Sequence, residues 1–271
     1  MQRRLIRNLG GELLFADLFP TGLAAIFAFV LMRKDYSGFC IKVRRSSNDE
    51  ELDVGFVDGV LNVAAINTFC STNDGFLSIK YDQSIIGNHQ RQTDLTKQPK
   101  IYDGTTGIML LDGMTAANYS TSNVMTLDSA LTIGSVFTIY NSIANQQINY
   151  IFGLDAGTGV SVRGSHPAAG GLSIFGSSSY VNLGDTESAS RKLMNVVNIS
   201  PNSKLANNGD SLTSFSYVGT CGVENIGNRY ASLSTAAALN GNIQFEVYYT
   251  SDQTSNLAAI RTYINNIYSV Y

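Results

Sequence analysis

Short apolar runs with polar residues at alternate positions recur along the chain, and they constrain the fold more than any other feature. The runs cover residues 39–44, 76–81, 107–111, 136–140, 149–153, 171–175, 180–183, 192–197 and 243–249. Because successive side chains of a strand point to opposite faces, this period predicts strands. Turn-forming pairs separate several runs, at Asp58-Gly59, Asp103-Gly104 and Asn240-Gly241. Many short strands joined by such turns predict an all-β sandwich or jelly roll.

Two segments depart from the alternating pattern and are predicted to be helices. In the first, residues 60–70, one helical face carries Leu61, Ala64, Ala65 and Phe69. In the second, a helical spacing runs towards the C-terminus through Leu257, Ile260, Tyr263, Ile264 and Ile267. Ser255 is the predicted N-cap of this helix, since a serine hydroxyl accepts hydrogen bonds from the first free N–H groups. We expect the helix at residues 60–70 to cover one end of the sandwich.

An apolar stretch near the N-terminus, residues 13–32, has the composition of a membrane anchor. Asp17, Pro20 and Gly22 interrupt it, whereas a spanning helix needs about 20 nearly uninterrupted apolar residues. We therefore expect a buried helix or an apolar strand at residues 21–33. We expect residues 1–19 to form an N-terminal arm and residues 20–271 a single jelly-roll domain, since no repeat or Pro-rich linker divides them.

Charge and cysteine content exclude several functions. Only 14% of the residues are charged and the net charge is −3, which does not fit nucleic-acid binding, because that depends on Lys and Arg contacts with phosphates. Cys40, Cys70 and Cys221 lie far apart and form neither a disulfide framework nor a metal-binding spacing. We expect free thiols in a protein folded in a reducing cytoplasm. No metal and no cofactor are predicted.

Polar side chains cluster where the run at residues 76–81 ends. They are Asp82, Gln83, Asn88 and His89. Such a strand exit is either a tightly hydrogen-bonded corner or a ligand-binding site. A carboxylate directly after a strand can accept N–H groups of the following loop, and the other side chains can satisfy what remains of a buried turn. We favour the structural corner and keep the four residues as candidate ligand-binding residues.

Several motifs around this corner occur in a recognisable order. They are Tyr36-Ser-Gly, Val43-Arg-Arg-Ser-Ser-Asn-Asp, Ala64-Ala-Ile-Asn-Thr-Phe-Cys, Tyr81-Asp-Gln-Ser and Gly87-Asn-His. Over residues 20–100 the series resembles the catalytic domain of the fungal α-L-arabinofuranosidase B family. Similar segments also open concanavalin A-like (LamG-like) domains of bacteriophage tail, fibre and capsid-associated proteins. The resemblance implies a concanavalin A-like jelly-roll sandwich over nearly the whole chain.

The catalytic residues of the arabinofuranosidases are harder to find in this sequence. A retaining glycosidase needs two carboxylates about 5 Å apart. The resemblance implies a nucleophilic Glu in a Tyr-Gly-Asn-Ala-Glu segment, but the nearest counterpart, Ile151-Phe-Gly-Leu-Asp-Ala-Gly, offers only Asp155, which we interpret as a hairpin residue. The family's Cys-x4-Cys pair is half missing, since Gly75 stands where a second Cys would follow Cys70. We therefore expect no catalytic residue.

Together these inferences predict a non-enzymatic bacteriophage structural protein, a head-decoration, fibre or tail module of the virion. Its expected partners are other virion proteins and host-surface carbohydrate, in a homo-oligomer or docked to a lattice. Two alternatives remain open. One is a glycoside hydrolase of the arabinofuranosidase type, and the other is a secreted lectin-like protein anchored by residues 13–32.

Overall fold

The computed structural model describes residues 13–142, 150–154, 161–163, 173–175, 190–200, 202–216, 220–228 and 238–271. The strands are β1 (Leu23–Ala28), β2 (Ile41–Arg45), β3 (Glu51–Val54), β4 (Phe56–Val57), β5 (Val60–Leu61), β6 (Gly75–Lys80), β7 (Gln90–Arg91), β8 (Lys100–Asp103), β9 (Gly107–Ile108), β10 (Leu110–Leu111), β11 (Met114–Thr115), β12 (Ala117–Tyr119), β13 (Met125–Ile133), β14 (Ser135–Ser142), β15 (Tyr150–Gly153), β16 (Ser161–Arg163), β17 (Ser173–Phe175), β18 (Lys192–Val197), β19 (Asn202–Asn207), β20 (Thr213–Ser216), β21 (Cys221–Ile226) and β22 (Gly241–Tyr249). The α-helices are α1 (Phe15–Leu18), α2 (Val63–Cys70) and α3 (Leu257–Tyr268), and a 3-10 turn at Thr254–Asn256 precedes α3.

Most of these strands form one large, curled antiparallel sheet. The hairpins β4–β5 and β10–β11 form two separate two-stranded sheets. Strand β22 lies at the centre of one part of the sheet, where it pairs with β1, β12 and β14. Strand β6 is the centre of another part and pairs with β2, β7 and β8. The curl brings the two parts face to face, and the result is a mostly β, jelly-roll-like sandwich, as the alternating sequence pattern predicts.

Two apolar clusters hold the sandwich together. The first fills the space between the two parts of the sheet and includes Val43 on β2, Leu77 on β6 and Tyr248 on β22. The second lies on the opposite face of β22, where Phe245 and Val247 pack against α3. Because side chains alternate along a strand, β22 contributes to both clusters, and its nine residues are all buried.

Helix α3 confirms the helix predicted at the C-terminus, but its start differs from the prediction. Ile260, Ile264 and Tyr268 are buried against the sheet at helical spacing. The N-cap is Asn256 instead of Ser255, and its side chain makes no capping hydrogen bond. The helix starts after the 3-10 turn that precedes it. N–H groups of that turn find acceptors nearby, and that of Thr254 donates to the Asp252 carboxylate at 2.9 Å.

Helix α2 confirms the helix predicted at residues 60–70 only from Val63 onward, because Val60 and Leu61 form strand β5, and its buried face is also different. Ile66 and Cys70 are the fully buried residues, whereas Ala64 is exposed. The Oδ1 atom of Asn62 accepts the N–H of Ala65 at 3.1 Å and caps the helix. The cap satisfies one of the free N–H groups at the start of the helix.

The N-terminal apolar stretch forms a strand, which resolves the two possibilities kept for residues 21–33. Strand β1 pairs antiparallel with β22 through nearly all of its length. Upstream of it, Phe15 and Ala16 of α1 are buried. In the described part of the chain, no helix is long and apolar enough to cross a membrane.

The turn signals are partly confirmed. Asp58 and Gly59 have φ values of 52° and 75° between β4 and β5, as a two-residue type I′ hairpin requires. Asn240-Gly241 forms no such turn, because Gly241 begins β22 and a Cβ there would lie 2.1 Å from the Asn141 carbonyl oxygen. The strand predicted at residues 180–183 lies outside the described residues.

Candidate functional site

The polar corner after β6 is built around the carboxylate of Asp82, which is 1% exposed. Its Oδ1 accepts the N–H groups of Ile26 at 2.9 Å and Ser84 at 2.8 Å. Its Oδ2 accepts the Ser84 hydroxyl at 2.6 Å and the N–H of Asn88 at 3.0 Å. Four short hydrogen bonds occupy this carboxylate, and they fasten the loop to β1.

The side chains of Gln83 and Asn88 also form hydrogen bonds with backbone groups. The Gln83 amide is fully buried and bonds the main chain of Ala28, Val30 and Met32. The Asn88 amide forms a reciprocal pair with the backbone of Ser129, at 2.8 Å in both directions. In the structure these residues, with Asp82, join the corner to neighbouring segments.

His89 differs from the other three residues. Its Nδ1 accepts the N–H of Asp82 at 3.1 Å, so a neutral ring carries its proton on Nε2. Within the described residues, Nε2 has no hydrogen-bond partner, and the ring is partly exposed. Burial, followed by the nearby Arg91 guanidinium, lowers the pKa of His89 below its ordinary value. His89 therefore keeps a neutral donor at the protein surface.

A second polar group lies in the interior of the sandwich. Lys80 Nζ is 2.8 Å from Glu246 Oε2, and the two side chains are 1% and 0% exposed. Gln90 Nε2 lies 3.2 Å from both carboxylate oxygens, and the Tyr248 hydroxyl donates to Oε1 at 2.8 Å. Burial, followed by the charge of Glu246, raises the pKa of Tyr248. No substrate could reach this group without opening the sandwich.

The outer face of the sheet around β6 is the more accessible polar surface. Residues paired across seven strands form one row: Asp53 on β3, Lys42 on β2, Ile79 on β6, Arg91 on β7, Thr126 on β13, Asn225 on β21 and Gly153 on β15. Directly opposed residues share a face. The chain neighbours of Lys42 and Thr126 belong to the core cluster, so these two residues face away from the core. Along the row Asp53, Lys42, Arg91 and Thr126 are accessible, whereas Ile79, Asn225 and Gly153 are buried. We call it the outer row.

Charged side chains of the outer row are paired but accessible. Lys42 Nζ is 3.5 Å from an Asp53 carboxylate oxygen, and Arg91 Nε is 2.5 Å from Asp128 Oδ1. The Arg91 and Asp128 side chains are 43% and 33% exposed. Such a surface can offer donors and acceptors to an uncharged polar ligand.

Glu224 adds a carboxylate next to Asn225, near the other end of the outer row. Cys221, Val223 and Ile226 belong to the core cluster, so strict alternation along β21 is interrupted between Val223 and Ile226, where Glu224 is the accessible side chain. The side chain of Leu154, which follows β15, lies over Gly222, where an added Cβ would meet it at 2.5 Å. Glu224 is partly exposed and has no hydrogen bond or ion pair with any described residue.

The outer row and Glu224 were not predicted from the sequence. The available signal was the alternation itself, since Lys42 and Arg44 alternate with Ile41 and Val43 along β2. Which strands lie side by side was not visible, because β15 and β21 are about 70 residues apart in the chain. Asp155, the nearest sequence counterpart of the family nucleophile, lies outside the described residues.

Among the described residues, no group of three or more His, Cys, Asp or Glu side chains is placed to hold a metal ion. Cys40, Cys70 and Cys221 are buried thiols that form no disulfide with one another. Burial raises the pKa of the Cys70 thiol to about 11, which keeps it protonated at neutral pH.

The fold and this polar face place the chain among β-sandwich proteins of the jelly-roll type. The family model of "Alpha-L-arabinofuranosidase B, catalytic" matches residues 21–153, just under half of the chain. The match ends with β15, the strand that contributes Gly153 to the outer row. No sequence among the curated proteins matches this chain.

Solved structures of arabinofuranosidases share this fold. A GH54 α-L-arabinofuranosidase soaked with a cyclic sulfate inhibitor is 15% identical, with a TM-score of 0.67, and a mutant GH54 enzyme soaked with 4-nitrophenyl α-L-arabinofuranoside gives 15% and 0.68. In both cases the comparison covers 95% of this chain and 65% of the other. An arabinofuranosidase complexed with arabinofuranosyl-α-1,2-xylobiose is 16% identical, with a TM-score of 0.64, and covers 95% and 64%. This chain thus spans a little under two thirds of those proteins.

These matches correct the function predicted from the sequence. The prediction of a non-enzymatic bacteriophage structural protein of the virion is wrong, because the matching family model is that of a catalytic domain and the neighbouring structures are glycoside hydrolases. The matches support neither a phage origin nor a LamG-like family. The motifs over residues 20–100 indicate the function better than the missing family glutamate near Asp155 does.

Proposed function

We propose that this protein is a glycoside hydrolase that cleaves α-L-arabinofuranosidic bonds. The observation that carries the proposal is the match of residues 21–153 to an arabinofuranosidase catalytic-domain model. The arabinofuranosidase folds that cover 95% of the chain support it. An accessible polar face supports it further, because a neutral sugar needs hydrogen-bonding groups at a surface it can reach.

The chemistry requires a carboxylate that is free to act. On the outer face, Asp53 and Asp128 are held by Lys42 and Arg91. Glu224 has no such partner among the described residues, and it lies beside the end of β15. We assign it the role of general acid/base, which protonates the leaving oxygen and then activates water.

The nucleophile of a retaining mechanism would be the second carboxylate. The resemblance to the arabinofuranosidase family implies a nucleophile shortly after the Phe152-Gly153 pair, and Asp155 is the first carboxylate that follows in the sequence. In this assignment Asp155 forms a covalent bond to the anomeric carbon as the leaving group departs, and water activated by Glu224 later breaks that bond.

The assignment is tested with 4-nitrophenyl α-L-arabinofuranoside and two amide variants. We expect Glu224→Gln and Asp155→Asn each to lower kcat/KM by at least about 100-fold, the usual scale for loss of a catalytic acid, base or nucleophile. Glu50→Gln is the matched control, since this carboxylate is 61% exposed and bound to Arg45 beside β3. A Glu224→Gln variant with the wild-type rate would remove Glu224 from the reaction.

A further inference from the structure

An aromatic group lies on the outer face at the strand ends around β6. It consists of Phe39, Tyr81 and His89, which we call the aromatic group. The ring centroid of Tyr81 is 6.0 Å from that of Phe39 and 5.0 Å from that of His89. Phe39 is 48% exposed, so part of an aromatic ring faces solvent although the rest of the group supports it. Because the neighbouring rings already restrict the exposed aromatic side chain, ligand binding has little conformational entropy left to remove.

Polar groups surround these rings. The Tyr81 hydroxyl donates to Asp53 Oδ1 at 2.5 Å, and burial, followed by this hydrogen bond, raises the Tyr81 pKa. His89 has its Nε2 donor without a partner in the described residues, and the exposed Arg91–Asp128 pair lies close enough to affect the His89 charge. The aromatic group thus combines an apolar ring surface with hydrogen-bonding groups at its edge.

We propose that the aromatic group is a subsite that binds a neutral sugar residue of a glycan, apart from the bond that is hydrolysed. A sugar ring presents an apolar C–H face and a rim of hydroxyls, which this combination of rings, Nε2–H and charged side chains matches. Each charged neighbour already has a partner of opposite sign. A charged ligand would have to break these pairs, whereas a neutral one can add to them.

The outer row connects this subsite to the proposed catalytic end. From β7, which follows His89, the row passes through β13 and β21 to β15. Three strand spacings of about 4.8 Å give a separation of roughly 14 Å. Arg91, Thr126 and Glu224 are the accessible residues along this line, whereas Asn225 and Gly153 are buried. A single arabinofuranoside is too short to reach both places. The ligand class rests on the proposed function, whereas the place of binding rests on the geometry of the aromatic group.

The test measures binding separately from hydrolysis. The probe is xylotetraose, a neutral oligosaccharide, chosen because a xylobiose carries the sugar in one of the similar structures. We expect titration calorimetry to show binding to the wild-type protein and about tenfold weaker binding to Phe39→Ala, from loss of the ring surface. Phe39→Tyr keeps a ring and should bind as the wild type does. Leu110→Ala is the control, because Leu110 is exposed to a similar degree, 52%, on the separate hairpin β10–β11.

The outcomes separate this inference from the proposed function. The subsite requires that Phe39→Ala hydrolyses 4-nitrophenyl α-L-arabinofuranoside at the wild-type rate, since the small substrate does not reach Phe39. Equal xylotetraose affinity of wild type and Phe39→Ala, or no binding to the wild type at millimolar concentration, overturns the subsite even in an active enzyme. Binding that depends on Phe39 in a protein without arabinofuranosidase activity would support the subsite and refute the proposed function.

Discussion

Lys80 and Glu246 form an ion pair across the interior of the sandwich, with Nζ 2.8 Å from Oε2 and both side chains at most 1% exposed. The pair joins β6 to β22, and its two residues are 166 positions apart in the chain. Gln90 and Tyr248 add hydrogen bonds to the same carboxylate. Because a buried charge is tolerated only when it is paired and hydrogen-bonded, each of these two side chains depends on the other.

Removing one member of this pair should destabilise the protein strongly. Lys80→Met leaves the Glu246 carboxylate buried without its cation, and we expect the free energy of unfolding to fall by about 3–5 kcal/mol. The double variant Lys80→Met/Glu246→Leu removes both charges and should recover a large part of the loss. Urea unfolding followed by circular dichroism measures all three proteins.

The accessible Arg91–Asp128 pair provides the comparison for the buried one. It is 43% and 33% exposed, so Arg91→Gln should cost less than about 1 kcal/mol. A Lys80→Met variant as stable as Arg91→Gln would show that the interior pair does not constrain the fold.

Gly75 and Cys70 are close enough for an engineered disulfide. A Cβ built at Gly75 lies 2.8 Å from Cys70 Sγ, and in a disulfide each Cβ is about 3 Å from the partner sulfur. We expect Gly75→Cys to bond with Cys70 and, through closure of the short loop, to be about 2 kcal/mol more stable oxidised than reduced. Joining the two thiols releases two electrons and two protons, so the reaction needs an oxidant such as oxidised glutathione. Because the pKa of Cys70 is about 11, little thiolate is present at neutral pH and the reaction should be slow.

Thiol titration of unfolded Gly75→Cys should show that oxidation removes two of its four thiols, three of which are native. Gly75→Ser is the control for crowding, because any Cβ at this position also lies 3.0 Å from the Cβ of Tyr102. Four thiols after oxidation would contradict the geometry.

Asp82→Asn should lower stability without changing the function of the folded protein. An amide cannot accept all four hydrogen bonds that Asp82 receives from Ile26, Ser84 and Asn88. We expect a loss of about 2–4 kcal/mol in the free energy of unfolding, with KM for the arabinofuranoside unchanged. A stable variant with an altered KM would instead make Asp82 a ligand-binding residue, as the sequence alone left open.

The sandwich could be predicted from the sequence because the patterns that indicate strands and helices lie within short segments of the chain. Alternation along runs such as residues 243–249 and the spacing of α3 depend on near neighbours, and both were read correctly. The position of Glu224 beside β15 and the contact between Lys80 and Glu246 depend on pairing across long stretches of chain. No local pattern encodes these contacts, so the outer row and the aromatic group could only be seen in three dimensions.

The lowered pKa of His89 predicts a pH dependence of stability. Burial and Arg91 disfavour the protonated ring, while Asp128 and Asp82 partly offset them. Since the folded pKa lies below the ordinary value of 6.5, the unfolded chain takes up the proton first. The contribution of His89 is therefore complete above pH 6.5 and is lost as the pH falls towards the folded pKa.

A proton NMR titration of the two histidines checks this prediction, with His166→Gln used to assign the signals. We expect His89 to titrate below 6.5, and the loss of stability between pH 7 and 5 to be smaller in His89→Gln than in the wild type. A His89 pKa above 6.5 would contradict the environment described for the ring.

Hydrolysis of 4-nitrophenyl α-L-arabinofuranoside by the purified wild-type protein tests the central claim most directly. The account predicts steady release of 4-nitrophenol that saturates with substrate and is lost in Glu224→Gln but not in Glu50→Gln. A well-folded wild-type protein that releases no 4-nitrophenol above the uncatalysed rate would contradict it.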